Sequence, residues 1–137
     1  NALIVAAGRP VDMITMSGAH VWYDMPEFTN VDWSDIELQT SNICRYNGCV
    51  DWPLVKHLAL CTLMAIEEVV RHDGTSEEAI ISAGYAGCHD FHEIYMTDVV
   101  SGLKKHVPAY NNIERKWEKY VHKEIGMPWK LHEGVGY

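Results

Sequence analysis

The stretch TSEEAIISAGYAGCHDFHEIYM, residues 75–96, decides how the rest of the chain is read. Thr75-Ser76-Glu77-Glu78 has the form of a capping box, in which a hydroxyl and a carboxylate satisfy the first free amides of a helix. The helix continues through Ile80, Ile81, Gly84, Cys88 and His89, and its Ala79, Ala83, Gly84, Ala86 and Gly87 are unusually small. A mid-helix glycine costs about 1 kcal/mol relative to alanine, a cost that the close approach of another helix offsets. Directly after these small residues, His89, Asp90, His92 and Glu93 concentrate ionisable groups. His89 and Glu93 stand four apart and Asp90 and Glu93 three apart, so a helix persisting through them puts all three near one face. Adjacent imidazole and carboxylate suit a hard or borderline divalent cation. Glu93, one turn on, then reaches metal-bound water as a general acid or base.

Upstream, Pro53 suits a helix start, and Leu54, His57, Leu58, Cys61, Met64 and Ala65 fall on one stripe of a helix running to about His72. That stripe points His57 into the core, beside the His89 segment. A second His-Asp pair, His72-Asp73, precedes Gly74 and reads as a helix terminus. Farther upstream, Asp32 is placed to cap a helix in which Trp33, Ile36, Thr40 and Ile43 recur, ending near Arg45, with residues 47–51 as a loop. Residues 13–16 and 19–23 read as two short strands joined across Ser17-Gly18, forming a small flap. Downstream, Thr97-Asp98 starts a short helix through Leu103. A last helix, about 109–125, carries Ile113, Trp117, Tyr120, Val121 and Ile125 and stops at Gly126 and Pro128. The fold class is therefore all-α, a helical bundle with a small N-terminal β-hairpin, in a single domain over 1–137.

Composition narrows the function. The chain has 137 residues, enough for one core, with 47% hydrophobic and 22% charged residues as in ordinary globular domains. Eleven Lys and Arg against 19 Asp and Glu give a net charge of −8. With no basic stripe, binding to a nucleic acid polymer by counterion release is excluded. A bound phosphate must instead be held by a few placed cations or by a metal, and eight His residues supply candidate ligands. The apolar run at residues 58–66 is far shorter than the roughly 18 residues of a membrane span, and no signal peptide is legible at the start. Four cysteines form no C-x2-C pair, and Cys61 and Cys88 sit in apolar helical patterns as buried thiols. A reducing cytoplasm is the expected compartment, with no membrane partner.

Four stretches carry a family resemblance: SGAHVWYDMPEFTNVDWSDI (17–36), SNICRYNG (41–48), WPLVKHLAL (52–60) and AGCHDFHEIYMTDVVSGLKKHVPAYNNIE (86–114). In this order the chain resembles the HD-domain metal-dependent phosphohydrolases, in the branch of small nucleotidases that includes bacterial 5′-deoxynucleotidases and phage-encoded deoxynucleoside triphosphohydrolases. The resemblance implies an HD-type helical bundle whose metal ligands are His57, His89 and Asp90. It implies Glu93 as catalytic acid or base, Asp98 as a group holding nucleophile or substrate, and Arg45 as a contact to substrate phosphate or sugar. Tyr46 is placed to stack on a base, Trp52 to line the pocket, and Lys104 to meet phosphate. The implied cofactor is a divalent metal, Zn, Co, Mn or Mg, the substrate a deoxynucleotide, and the assembly a homo-oligomer, in the host cytoplasm if phage-encoded.

Two departures stand out. The family's fourth ligand is a later Asp, and no Asp follows Asp98; Glu114, Glu118, Glu124 and Glu133 remain, the first three on a last helix read as solvent-facing. Either the domain is one C-terminal helix short of a complete site, or water, Glu133 or a partner subunit completes it. Cys49-Val50 also stands where many relatives have His-Thr. The expected function is hydrolysis of phosphate, pyrophosphate or triphosphate from a deoxynucleotide, the alternative a non-catalytic HD-like module that binds metal or nucleotide.

Overall fold

The chain is described by a computed structural model covering residues 8–97 and 99–127. An isolated antiparallel bridge between Cys44 and Pro53 closes the loop that leads into the first long helical element. Pro53 lacks an amide and has φ −58°, so it can precede a helix without loss. In the numbering used from here, the helices are α1 (Trp33–Asn42), α2 (Leu54–Arg71), α3 (Ser76–Cys88), α4 (Glu93–Met96), α5 (Ser101–Lys104) and α6 (Pro108–Ile125). Two strands, β1 (Met13–Ile14) and β2 (His20–Val21), pair antiparallel with Met13 opposite Val21. The mostly helical character and the small N-terminal sheet agree with the sequence expectation.

Helices α2 and α3 form a hairpin. Asp73 takes a left-handed φ of 53° between them, and the Thr75 hydroxyl accepts the Glu78 amide at 3.1 Å to start α3. The small residues of α3 serve close approach. A Cβ on Gly87 would lie 2.9 Å from the Thr62 hydroxyl of α2, and one on Gly84 would lie 2.8 Å from the Met127 methyl. Met64, expected on the inward stripe, is 59% exposed. It lies far round the helix from Leu54, Leu58 and Ala65, which form the buried face.

α1 starts where the Asp32 carboxylate accepts the Ser34 amide at 2.8 Å. It ends three residues before the expected Arg45, because Ile43 turns to an extended conformation. The Arg45 amide then bonds to the Trp52 carbonyl at 3.0 Å and the Leu54 amide to the Ile43 carbonyl at 2.7 Å. Those backbone groups close the loop instead of prolonging the helix. The hairpin is also shorter than expected. Buried Asp35 accepts from the Thr15 hydroxyl (2.7 Å), the Ser17 amide (2.9 Å) and the Ser17 hydroxyl (2.6 Å), which fixes residues 15–19 as a loop against α1. With Val21 fully buried, the hairpin is part of the core and not a flap.

Helix does not persist through the His-Asp segment. α3 ends at Cys88, the Phe91 and Glu93 amides bond to the Cys88 and Asp90 carbonyls in tight turns, and helical bonding resumes with α4. Thr97, at φ 65°, ends α4, and α5 begins only at Ser101, later than expected. Asp98, Pro128, Trp129 and Glu133 lie outside the described residues. α6 matches its expected span, with Pro108 in its first turn and Gly126 in the left-handed C-cap. The core gathers Val21, Ile36, Ile94, Tyr95, Met96, Trp117 and Val121 from β2, α1, α4 and α6.

Candidate metal centre

The close packing of α2 on α3 at Gly87 brings His57 of α2 to the turn that follows α3. There His57 Nε2 lies 3.5 Å from Asp90 Oδ2, and His89 Nε2 lies 3.1 Å from the same oxygen. The two imidazoles meet edge to face with centroids 5.9 Å apart. His89 Nδ1 donates to the Ala86 carbonyl at 2.6 Å, and the Tyr85 ring stacks on the imidazole at 6.2 Å. A carbonyl can only accept, so the proton sits on Nδ1 and Nε2 is presented to Asp90 and the shared space. Fixing one ring nitrogen on a backbone carbonyl is how a ligating histidine is oriented.

The electrostatics agree with a convergent set. Burial opposes a charge on His89, but the hydrogen bond and field of Asp90, the Ala86 carbonyl and Glu118 overcome it and raise its pKa. Burial would likewise raise the Asp90 carboxyl, yet the hydrogen bond from His89 and the fields of His89, His92 and His57 hold it below its usual value. The residues present fit a divalent metal: donor atoms of His57, Cys61 and His89 all lie within 4.8 Å of one another, and Asp90 Oδ2 lies 3.5 and 3.1 Å from the two imidazoles.

Cys61, read from the sequence as a buried thiol, also borders this space. Its sulfur lies 3.5 Å from His57 Nε2, and donor atoms of His57, Cys61 and His89 all lie within 4.8 Å of one another. Burial, followed by Asp90, raises the thiol pKa, with Arg45 acting the other way. The sequence signal was available, since Cys61 follows His57 by one helical turn.

Arg45 donates to His57 Nδ1, and its guanidinium lies 5.2 Å from the centroid of the Tyr46 ring. Tyr46 is more than half exposed, and Trp52 carries the Lys56 ammonium over its ring at 5.7 Å. The closed loop thus brings Arg45 to His57 and leaves Tyr46 and Trp52 on its outer surface.

Behind the His-Asp turn lies a buried polar layer. His92 and Glu93 are both buried, and His92 Nε2 lies 3.8 Å from Glu114. Glu114 pairs with Lys104 at 2.9 Å, so Glu114 does not stand on the solvated face expected for it, whereas Lys105 and Glu124 are exposed. The reason is register: Glu114, Glu118 and His122 stand at i, i+4 and i+8, on the side of α6 that meets α5 and the His-Asp turn. His122 is fully buried, its Nδ1 donating to the Glu118 carbonyl at 2.7 Å. Burial pushes its pKa down, keeping it neutral.

No protein-family model matches the chain, and no solved structure matches it. The chain is 28% identical over 125 residues to an Escherichia coli (strain K12) protein described as "Uncharacterized protein YfdR". That similarity covers 90% of this chain and 63% of the relative, so the chain spans less than two thirds of the relative's length. Among the described residues, no helix is long and apolar enough to cross a membrane.

Proposed function

We propose that the chain is an HD-type metal-dependent phosphohydrolase that removes phosphate, pyrophosphate or triphosphate from a deoxynucleotide. The observation that carries this reading is the convergence of His57 Nε2 and His89 Nε2 on Asp90 Oδ2 at 3.5 and 3.1 Å, from separate elements. His57, His89 and Asp90 hold the metal, which when bound supplies charge to a phosphoryl oxygen and acidifies water. Glu93, buried one turn beyond Asp90, takes or returns the proton of the attacking water, and Asp98 is assigned the supporting role that the family resemblance implies.

Arg45 has a double use. In the structure its guanidinium occupies His57 Nδ1, which must accept because arginine only donates. A His57 that offered Nε2 to a metal would carry its ring proton on Nδ1, which would leave Arg45 available to substrate phosphate. Lys104 is held by Glu114 and supplies positive potential from a distance more readily than a direct contact. An open apolar groove of about 400 Å³, whose lining includes Trp33, Ile36, Leu58 and Phe91, offers a flat surface for sugar or base. Its Leu58 and Phe91 directly follow His57 and Asp90.

The test is phosphate release by the full chain from a panel of deoxynucleoside mono- and triphosphates with Zn, Co, Mn or Mg. Activity that disappears in Glu93→Gln while metal content is retained supports the reading; unchanged release in that variant overturns it. A second reading is a non-catalytic module that binds metal or nucleotide, for which metal or nucleotide binds without turnover. The self-association implied by the resemblance is checked by sedimentation of the full chain.

A further inference from the structure

We propose that Cys61 is a metal ligand, so that His57, Cys61, His89 and Asp90 form a four-donor centre selective for zinc or cobalt over magnesium and manganese. This rests on the metal site proposed above and deepens it, because it adds a sulfur donor to that site.

Distances argue first. With metal–nitrogen and metal–oxygen bonds of about 2.0–2.1 Å and a metal–sulfur bond of about 2.3 Å, tetrahedral geometry puts nitrogen and oxygen ligands about 3.3 Å apart and nitrogen and sulfur about 3.6 Å apart. The protein shows 3.5 and 3.1 Å for the two imidazole–carboxylate pairs and 3.5 Å for Cys61 Sγ to His57 Nε2. A sulfur merely packed beside an imidazole has no reason to match the separation set by a shared cation, nor to lie with both imidazoles inside one 4.8 Å group.

Helix geometry argues second. His57 and Cys61 sit at i and i+4 on α2, so one rigid turn presents both donors, while His89 and Asp90 come from the end of α3. Two donors on each side of the Gly87 contact let a cation bridge the hairpin.

Elimination argues third. Among the described acids of α6, Glu114 is bound to Lys104, and Glu124 is exposed. Glu118 reaches the site as a field on His89 and Tyr85, and no ion pair links it to either among the described residues. A mixed nitrogen, oxygen and sulfur set is soft enough to prefer zinc or cobalt, whereas magnesium and manganese favour oxygen donors.

The experiment uses the full chain, stripped of metal and given one equivalent of Co(II). The expected spectrum has visible cobalt bands together with a near-ultraviolet thiolate-to-cobalt charge-transfer band. Cys61→Ser should lose the near-ultraviolet band, keep the visible bands, and bind cobalt at least about tenfold more weakly, since even second-shell changes cost about 10–100-fold. Cys88→Ser, which alters the half-buried thiol beside His89, should keep the band. Cys61→Asp should keep cobalt without the band and move the metal preference toward manganese. Visible bands without the charge-transfer band in the unaltered chain, or a band that survives Cys61→Ser, overturn the assignment of Cys61 and leave the metal site standing. No cobalt bound at all overturns the metal site and the inference together.

Discussion

The α2–α3 hairpin and the group formed by β2, α1, α4 and α6 dispose of their apolar residues in opposite ways. In α6 the division is clean: Trp117, Val121 and His122 are buried, and Arg115, Lys116, Lys119 and Lys123 face water. In α2 it is not. Leu54, Leu58 and Ala65 are buried, yet Val55, Leu60, Leu63, Met64, Ile66 and Val70 lie exposed around the rest of the helix. Ile80 and Ile81 continue that surface on α3. The first region is a self-sufficient core. The second keeps its place through a turn and the small residues of α3. His57 lies on the second region, His89 and Asp90 at its end, and the buried His92–Glu114–Lys104 group on the side of the first. The candidate centre is the seam between them.

The largest expected effect breaks the core side. Trp117 is fully buried, lies 4.7 Å from the Tyr95 ring centroid, and donates its indole proton to the Tyr23 carbonyl at 3.1 Å. Trp117→Ala should cost about 3–5 kcal/mol in urea unfolding, the range for removing a large aromatic from a packed core. A loss below 1 kcal/mol would mean that the core is organised elsewhere.

Metal loading should sharpen the contrast from the other side. A cation held by residues of α2 and the end of α3 is a cross-link within the hairpin. At a free metal concentration one hundred times Kd it adds about 2.7 kcal/mol. Hydrogen exchange should therefore slow most in α2 and the end of α3 on addition of zinc, with α6 changing least; chelation should reverse this. Uniform slowing across both regions would deny the seam its place.

This division also explains what was legible in the sequence. The capping box at Thr75, the Asp32 cap and the periodicity of α6 are local signals, and each placed the start of its element close to the observed one. The pairing of His57 with His89 and Asp90 was legible because small residues beside a polar cluster imply close helix contact. The end of α1 was not, since it depends on backbone bonds between residues 43–45 and 52–54. Nor was the orientation of Glu114, Glu118 and His122. A glutamate on an amphipathic helix ordinarily faces water, and only the arrival of Lys104 and His92 from other elements makes an inward carboxylate tolerable.

Glu114 supplies a pH test of the same seam. Burial would raise its carboxyl, but the nearby His92 imidazole and the hydrogen bond from Lys104 hold it below its usual 4.5. The folded state therefore binds fewer protons than the unfolded one in that window. Its stabilising contribution is complete above about pH 4.5 and is lost as pH falls through the depressed folded value. Glu114→Gln should lower stability at pH 7 by about 1.5 kcal/mol, the low end for bonds to a charged group because Lys104 can still turn to water. It should also flatten the acid limb between pH 5 and pH 3. A limb of unchanged steepness would place the relevant carboxylates elsewhere.

The smallest expected effect is the one that most directly probes the hairpin. Leu63 is 65% exposed and lies on the outer face of α2 with Ile66 and Val70. A leucine packed in a core loses about 2–5 kcal/mol on truncation. One that stands in water has little burial to lose, and lysine is nearly as good a helix former. Leu63→Lys should therefore change stability by no more than about 0.5 kcal/mol, as other surface substitutions do. The matched control is Leu58→Ala on the opposite face of the same helix, where the side chain is 4% exposed and the core range applies. If Leu63→Lys cost as much as Leu58→Ala, the outer face of α2 would be covered in solution, and the contrast between the two regions would be one between an internal core and a surface that another part of the protein, or another molecule, completes.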